Sequence, residues 1–252
     1  MINNNDQLIK YFDYPTRIWT IENFFDLKTA EELSDTFYKY DDERWLTRNH
    51  TEFEDKLLST HWDWYPKNFY KTFFDLASQN FINILEELTG IDSLIADYGL
   101  HAGGMHLHKH NGRLNLHKDA AVHPKLGLWR KLNIIVYLNK NWEESWGGEL
   151  EYWNDVNGEP GEKILSIPPM FNTAVIFETD NNFWHGLPAN IAAPDGQNRQ
   201  SIAMFYYIEN DKELVNSYAV RAMFAPTDEQ KNDPNALRKI KERMETSFKY
   251  GR

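Results

Sequence analysis

A chain of 252 residues, 41% hydrophobic and 26% charged, has globular composition and enough length to bury a core, which excludes a disordered or low-complexity chain. It contains no cysteine, so disulfides, thiolate metal sites and cysteine nucleophiles are excluded as well. A formal net charge of −11 argues against a nucleic acid partner, because a phosphate backbone would be repelled.

The opening stretch MINNNDQLIKYFDYP lacks a basic segment followed by an apolar run, and no run of apolar residues reaches a membrane-spanning length. A cytoplasmic protein with no membrane partner is the expectation. Residues 28–40 carry apolar positions at helical spacing. So do residues 66–90, with Pro66 at a first helical position and Gly90 as the C-cap. Two amphipathic helices are therefore predicted in the first third.

From about residue 93 the pattern changes to short apolar runs bounded by Gly, Pro, Asn and Asp: LNIIVYLN, GGELEYW, KILSIPP, NTAVIFET and SIAMFYYI. Turn chemistry agrees, with Asn157-Gly158, Asp195-Gly196 and Gly147-Gly148 between runs. The pattern predicts an antiparallel barrel or a double sheet of jelly-roll type, mainly β with flanking helices. With 9 Trp, 13 Tyr and 15 Phe the chain suits a β-rich core or a ring-walled pocket. A charged helix is predicted over residues 233–251. The chain reads as one domain over 1–252: an N-terminal helical region at 1–92 packing on the core, a β core at 93–210, and a C-terminal extension with a helix at 211–252.

Chemistry concentrates in NLHKDAAVH at residues 115–123. On an extended strand His117 and Asp119 point to one face and present a nitrogen and an oxygen to a single ion. His185, in FWHGLP after the strand NTAVIFET and a polar turn, is placed to complete two histidines and one carboxylate. That set suits iron(II) with positions left open for a chelating co-substrate and dioxygen. Farther on, Arg199 and Ser201 share a face of a strand expected to pair with the one around His185. Arginine offers a permanently charged fork for the distal carboxylate of a dicarboxylate chelator such as 2-oxoglutarate, and Ser201 a hydroxyl. Each element alone has a plainer reading: an H-x-D triplet by chance, a capped imidazole beside Trp184, a surface arginine. Their order is what points to chemistry.

In that order the sequence resembles the iron(II)- and 2-oxoglutarate-dependent oxygenases, in the branch similar to prolyl 4-hydroxylases. The resemblance spans about residues 98–208 and rests on YGLHAGGMHLHKHNGRLNLHKD, WRKLNIIVYLNKNWEESWGGELEYWND, IPPMFNTAVIFETDNNFWHGLP and NRQSIAMFYY. It implies a double-stranded β-helix of jelly-roll or cupin-like type, iron(II) on His117, Asp119 and His185, and the 2-oxoglutarate carboxylate on Arg199. Tyr137 matches a position that offers a phenol to that carboxylate, and Asn133 shares its strand face by alternation. Asp119 stands where some halogenating relatives lack a carboxylate, so hydroxylation is the expected reaction, with 2-oxoglutarate and dioxygen consumed and succinate and carbon dioxide released. Ascorbate is a further candidate cofactor. The substrate is expected to be a peptidyl residue such as proline, or a small molecule.

His101, His106, His108, His110 and His123 are expected around the site or at the surface, with His106, His108 and His110 sharing one face. Trp142, Trp146, Trp153 and Trp184 read as packing, and Gly147-Gly148 as a turn. Between residues 105 and 131 six cations stand against Asp119 alone, a basic island that suits a solvated surface or an anionic ligand. The rival reading is a jelly-roll module that holds a divalent ion or a sugar without turnover.

Overall fold

A computed structural model describes residues 7–179, 182–210 and 221–245. In chain order the strands and helices are β1 (Leu8–Phe12), β2 (Ile18–Glu22), α1 (Leu27–Asp35), β3 (Thr47–His50), β4 (Glu54–Ser59), α2 (Lys67–Leu76) and α3 (Gln79–Thr89). Then come β5 (Ile95–Ala96), β6 (Gly104–His108), β7 (Arg113–Lys118), β8 (Trp129–Tyr137), β9 (Leu150–Val156) and β10 (Glu159–Ile167). The chain continues through β11 (Ala174–Glu178), β12 (Phe183–Leu187), β13 (Arg199–Ile208), β14 (Met223–Phe224) and α4 (Pro234–Glu245).

The strands form one sheet in the order β1-β2-β11-β8-β13-β6-β4-β7-β12-β9-β10, with β14 on β7, β3 on β4 and β5 on β13. It is antiparallel and curls into a half-barrel. Alternation sorts its side chains. On β8, Leu132, Ile134 and Val136 face a core shared with Phe69, Phe73 and Leu85 of the helices. The intervening Asn133 and Ile135 face the cavity inside the half-barrel. On β13, Ile202, Met204 and Tyr206 take the helical side, while Ser201, Ala203 and Phe205 face inward. One period-two pattern thus builds a helix-covered core and a polar chamber back to back.

Several local expectations are corrected. Residues 66–90 form two helices, not one, because Ser78 takes extended backbone (φ −69°, ψ 150°) and caps α3 through Phe81 N–H at 3.3 Å. Pro66 is the N-cap of α2, one residue before the first helical position. Gly90, at φ 67°, ends α3 in the left-handed region that glycine tolerates. The first predicted helix stops at Asp35, and Phe37 and Tyr38 beyond it enter the core beside Trp45. Nor are the first ninety residues only helical: β1, β2, β3 and β4 all join the sheet. β2, IWTIE, is almost wholly buried and so lacks the alternation that would announce a strand. Asn157 and Gly158, both at positive φ, make the tight β9–β10 hairpin. Of the predicted C-terminal helix, residues 246–251 lie outside the described residues.

The strand bearing Arg199 pairs with β8 and β6, not with the strand of His185 as expected; β12 pairs instead with β7 and β9. The half-barrel's curvature, rather than direct pairing, brings Arg199 and His185 to a common interior.

Candidate active site

His185 on β12 is the register partner of His117 on β7, and their ring centroids lie 4.2 Å apart. β12 can approach this closely because Gly186 follows: a Cβ there would stand 2.7 Å from Asn115 O and 2.8 Å from Leu114 O. Asp119 sits just past the end of β7. Ligand atoms of His117, Asp119 and His185 all lie within 4.8 Å of one another. Asp119 Oδ1 is 3.7 Å from His117 Nε2, and Asp119 Oδ2 is 3.7 Å from His185 Nε2.

These contacts are not ion pairs at neutral pH. Burial, then the neighbouring His185, pushes the His117 pKa down to about 3 against the pull of Asp119. Burial likewise lowers that of His185. Both imidazoles are neutral and present lone pairs. Burial pushes the Asp119 carboxyl up, yet the neighbouring positive charge, Arg130 first, outweighs it and holds the pKa below the ordinary value. Asp119 Oδ2 and His185 Nδ1 are buried with no hydrogen-bond partner among the described residues. His117 Nδ1 lies 3.1 Å from Asn115 O, to which its N–H donates, leaving Nε2 to face inward. Phe224 of β14, register partner of His117, stacks on its ring at 5.4 Å. A half-buried carboxylate facing two buried, neutral imidazoles, with no proton to share, is the donor set of a divalent metal. The residues present fit iron(II).

A cavity of about 150 Å³ runs from this cluster to Arg199. The arginine is 3% exposed. Its Nε donates to Gly148 O at 2.7 Å, its Nη2 to Tyr137 Oη at 3.2 Å, and its guanidinium lies over the Tyr137 ring at 4.8 Å. Gly148, at φ 79°, is packed so closely that a Cβ would meet Arg199 Cδ at 3.2 Å and Trp142 Cζ2 at 3.3 Å. The predicted turn is therefore also a shelf for the arginine. No carboxylate pairs with Arg199 among the described residues, and burial lowers its pKa despite Tyr137. A buried guanidinium without a counter-ion, at the end of a cavity, fits the distal carboxylate of a dicarboxylate.

Ser201 and Asn133 line the same cavity, the latter with an Oδ1 that has no hydrogen-bond partner among the described residues. Tyr137 acts at one remove, through its contact with Arg199. Sequence reasoning underrated His106 and His108. Alternate residues of β6, opposite Ser201 and Arg199 in register, they both line the cavity. His108 is 2% exposed and neither ring nitrogen has a hydrogen-bond partner among the described residues. Their alternation was the available signal. His110 lies past the strand and bonds Ala193 O at 2.8 Å. His123 is buried 3.6 Å from Asp97, and the tilted His101 ring lies 5.3 Å from it. Trp184 faces away from the chamber and packs with Leu116 and Ala225.

The basic island does not form one patch, because alternation sends its members to different faces. Lys118 pairs with Asp155 at 2.7 Å on the outside of β7, and Lys109 lies over Tyr40. Arg130 points inward to Asp119 at 3.5 Å and to the Tyr207 hydroxyl at 3.2 Å. Lys56, Arg221 and Arg243 also line the site and lie outside every motif read from the sequence.

Residues 103–207 match the family model described as the 2OG-Fe(II) oxygenase superfamily, and this segment includes the β strands that carry the cluster. Over 105 residues, 40% of this chain, the sequence is 30% identical to the prolyl 3-hydroxylase OGFOD1 of Xenopus laevis. The match spans 20% of that curated relative's length. Among solved structures, a Pseudomonas putida prolyl-4-hydroxylase superposes with a TM-score of 0.54 at 12% identity, covering 77% of this chain and 92% of that one. Prolyl 4-hydroxylases from Phytophthora capsici give 0.51 at 16% identity, covering 79% and 65%. These likenesses establish the jelly-roll fold.

Proposed function

We propose that the chain is an iron(II)- and 2-oxoglutarate-dependent hydroxylase. His117, Asp119 and His185 would hold the metal. Arg199, oriented by Tyr137 and the Gly148 carbonyl, would anchor the distal carboxylate of 2-oxoglutarate, with Asn133 and Ser201 offering polar contacts along its length. Bound iron(II), with 2-oxoglutarate and dioxygen, supplies oxidation of a C–H bond with release of succinate and carbon dioxide. The chain's own part is to orient and to exclude water: Ile135, Leu150 and Phe205 give the chamber apolar walls beside its polar anchors. Asp119 fills a ligand position, which favours hydroxylation over halogenation. The relatives are named as prolyl hydroxylases, which supports a peptidyl residue such as proline as the substrate; a small-molecule substrate, and ascorbate as a further cofactor, belong to the same chemical reading. A cytoplasmic setting is in keeping with this reading. Among the described residues no helix is long and apolar enough to cross a membrane.

One observation carries the reading: a metal donor set and an unpaired buried guanidinium stand at opposite ends of one cavity. A module that merely held an ion or a sugar would have no use for that arginine, whose burial costs free energy unless an anion meets it. Anaerobic addition of iron(II) and 2-oxoglutarate is expected to give a weak visible charge-transfer band in the wild type and none in His117→Ala. A correctly folded wild type without the band would refute the proposal.

A further inference from the structure

One polar side chain of the inner chamber is accounted for neither by the metal cluster nor by the support of Arg199. His108 is buried and lines the cavity, and no residue described here meets either nitrogen of its ring. His106, on the same face two residues earlier, differs: its Nε2 lies 3.1 Å from Gly103 O, so that ring has a local acceptor. A neutral imidazole carries one N–H and one lone pair, and burying both without partners costs free energy that a bound acceptor restores. The ring has no route to solvent. β6 lies between β13 and β4 in the sheet, and Gly112 packs so closely that a Cβ there would stand 3.0 Å from His108 Cβ.

Register fixes what the ring faces. His108 on β6 is the direct partner of Arg199 on β13, and both line the cavity, so the two side chains stand next to each other at the same end of it. Arg199 uses Nε for the Gly148 carbonyl and Nη2 for the Tyr137 hydroxyl, and among the described residues no hydrogen bond uses Nη1. Burial, with the Arg199 charge next and Lys56 after it, holds the His108 pKa well below the ordinary value, so the ring is uncharged at neutral pH. An imidazolium there would be repelled by the guanidinium, whereas a neutral N–H is a second donor that needs no counter-ion of its own. A single carboxylate satisfies both groups: one oxygen meets the guanidinium, and the other accepts the imidazole N–H.

We infer that His108 donates its ring N–H to the distal carboxylate of 2-oxoglutarate beside Arg199, and so fixes the rotation of the co-substrate about its long axis and its presentation to the cluster of His117, Asp119 and His185. The identity of the ligand rests on the hydroxylase reading. The second donor rests on the unpartnered ring and its register with Arg199.

The test uses the full chain and calorimetry, first with zinc(II) and then with 2-oxoglutarate. His108→Leu is expected to bind zinc(II) within about twofold of wild type and 2-oxoglutarate at least about tenfold more weakly, the scale of a lost hydrogen bond to a charged group. His108→Gln keeps an amide N–H on a side chain of similar reach and should recover part of that loss. Without any substitution, zinc-loaded wild type with isotope-labelled imidazole nitrogens should gain one slowly exchanging ring N–H resonance when 2-oxoglutarate is added, and this resonance should be absent from His108→Gln. Unchanged 2-oxoglutarate affinity in His108→Leu, a parallel loss of zinc(II) and 2-oxoglutarate binding, or no new protected N–H in the wild type would overturn the inference. Failure of the wild type to bind 2-oxoglutarate at all would instead count against the hydroxylase reading.

Discussion

The inner chamber and an outer cavity of about 390 Å³ share a wall at Asp119, yet Arg199 of the first and Arg243 of the second are held in different ways. Arg199 is buried, gripped by a carbonyl, a phenol and an aromatic face, all supplied by the β core. Arg243 is partly exposed and comes from the C-terminal extension. A rigid buried anchor suits a ligand that never changes, because the desolvation of the guanidinium is recovered only by one well-placed anion. A partly exposed arginine on an added segment keeps part of its hydration and needs no such partner.

The largest effect should come from the shared wall. Asp119→Ala removes a ligand, and even the loss of a group that only supports a metal ligand costs about 10–100-fold in affinity. Iron(II) affinity, read from the iron content at a series of metal concentrations, is expected to fall by more than about 100-fold. Near-normal content would show that the two cavities meet at a wall and not at a metal.

Next, Arg199→Met should weaken 2-oxoglutarate by about 30-fold or more, the scale of truncating one partner of a buried charge pair, as read from titration of the charge-transfer band. The same change should raise the melting temperature of the ligand-free protein, since an uncompensated buried charge is removed. Arg243→Gln should do neither, which separates the cavities directly.

The pH response treats them alike. Burial holds His106 of the inner chamber down to about 3 and His101 of the outer one down to about 4. An unfolded imidazole takes up its proton near 6.5, so between these values the unfolded chain binds more protons. Stability of the metal-free protein is therefore expected to be greatest above about pH 6.5 and to fall as pH drops towards about 4, with thermal melts across that range as the measurement. A flat profile would mean that the rings are not desolvated as described.

The smallest effect sharpens the inner grip. Tyr137→Phe deletes one hydrogen bond to the guanidinium, worth about 0.5–1.5 kcal/mol, so 2-oxoglutarate affinity should drop by about 2- to 10-fold. Titration of the charge-transfer band reads this change as well.

Much of the inner site was legible in the chain. His117 and Asp119, Asn133 and Tyr137, Arg199 and Ser201 are pairs that strand alternation, a local rule, assigns to one face; five of the six line the cavity, and Tyr137 instead contacts Arg199. His106 and His108 obeyed the same rule, but whether their face met the chamber or the solvent depended on which strand lay opposite. The break at Ser78 was hidden because the hydrophobic period runs through it. The pairing of β13 with β8 and β6, and the arrival of Arg221 and Arg243, depend on contacts between distant segments, for which no local pattern exists.

Composition and spacing alone thus determined a cysteine-free β protein with a two-histidine, one-carboxylate set and a candidate carboxylate anchor, because ligand chemistry and side-chain alternation are properties of neighbouring residues. Only the tertiary structure decided which faces turn inward, that Arg199 is buried with no carboxylate paired to it among the described residues, and that a second cavity opens beside Asp119. Sheet curvature and burial set those features, and both arise from the packing of residues far apart along the chain.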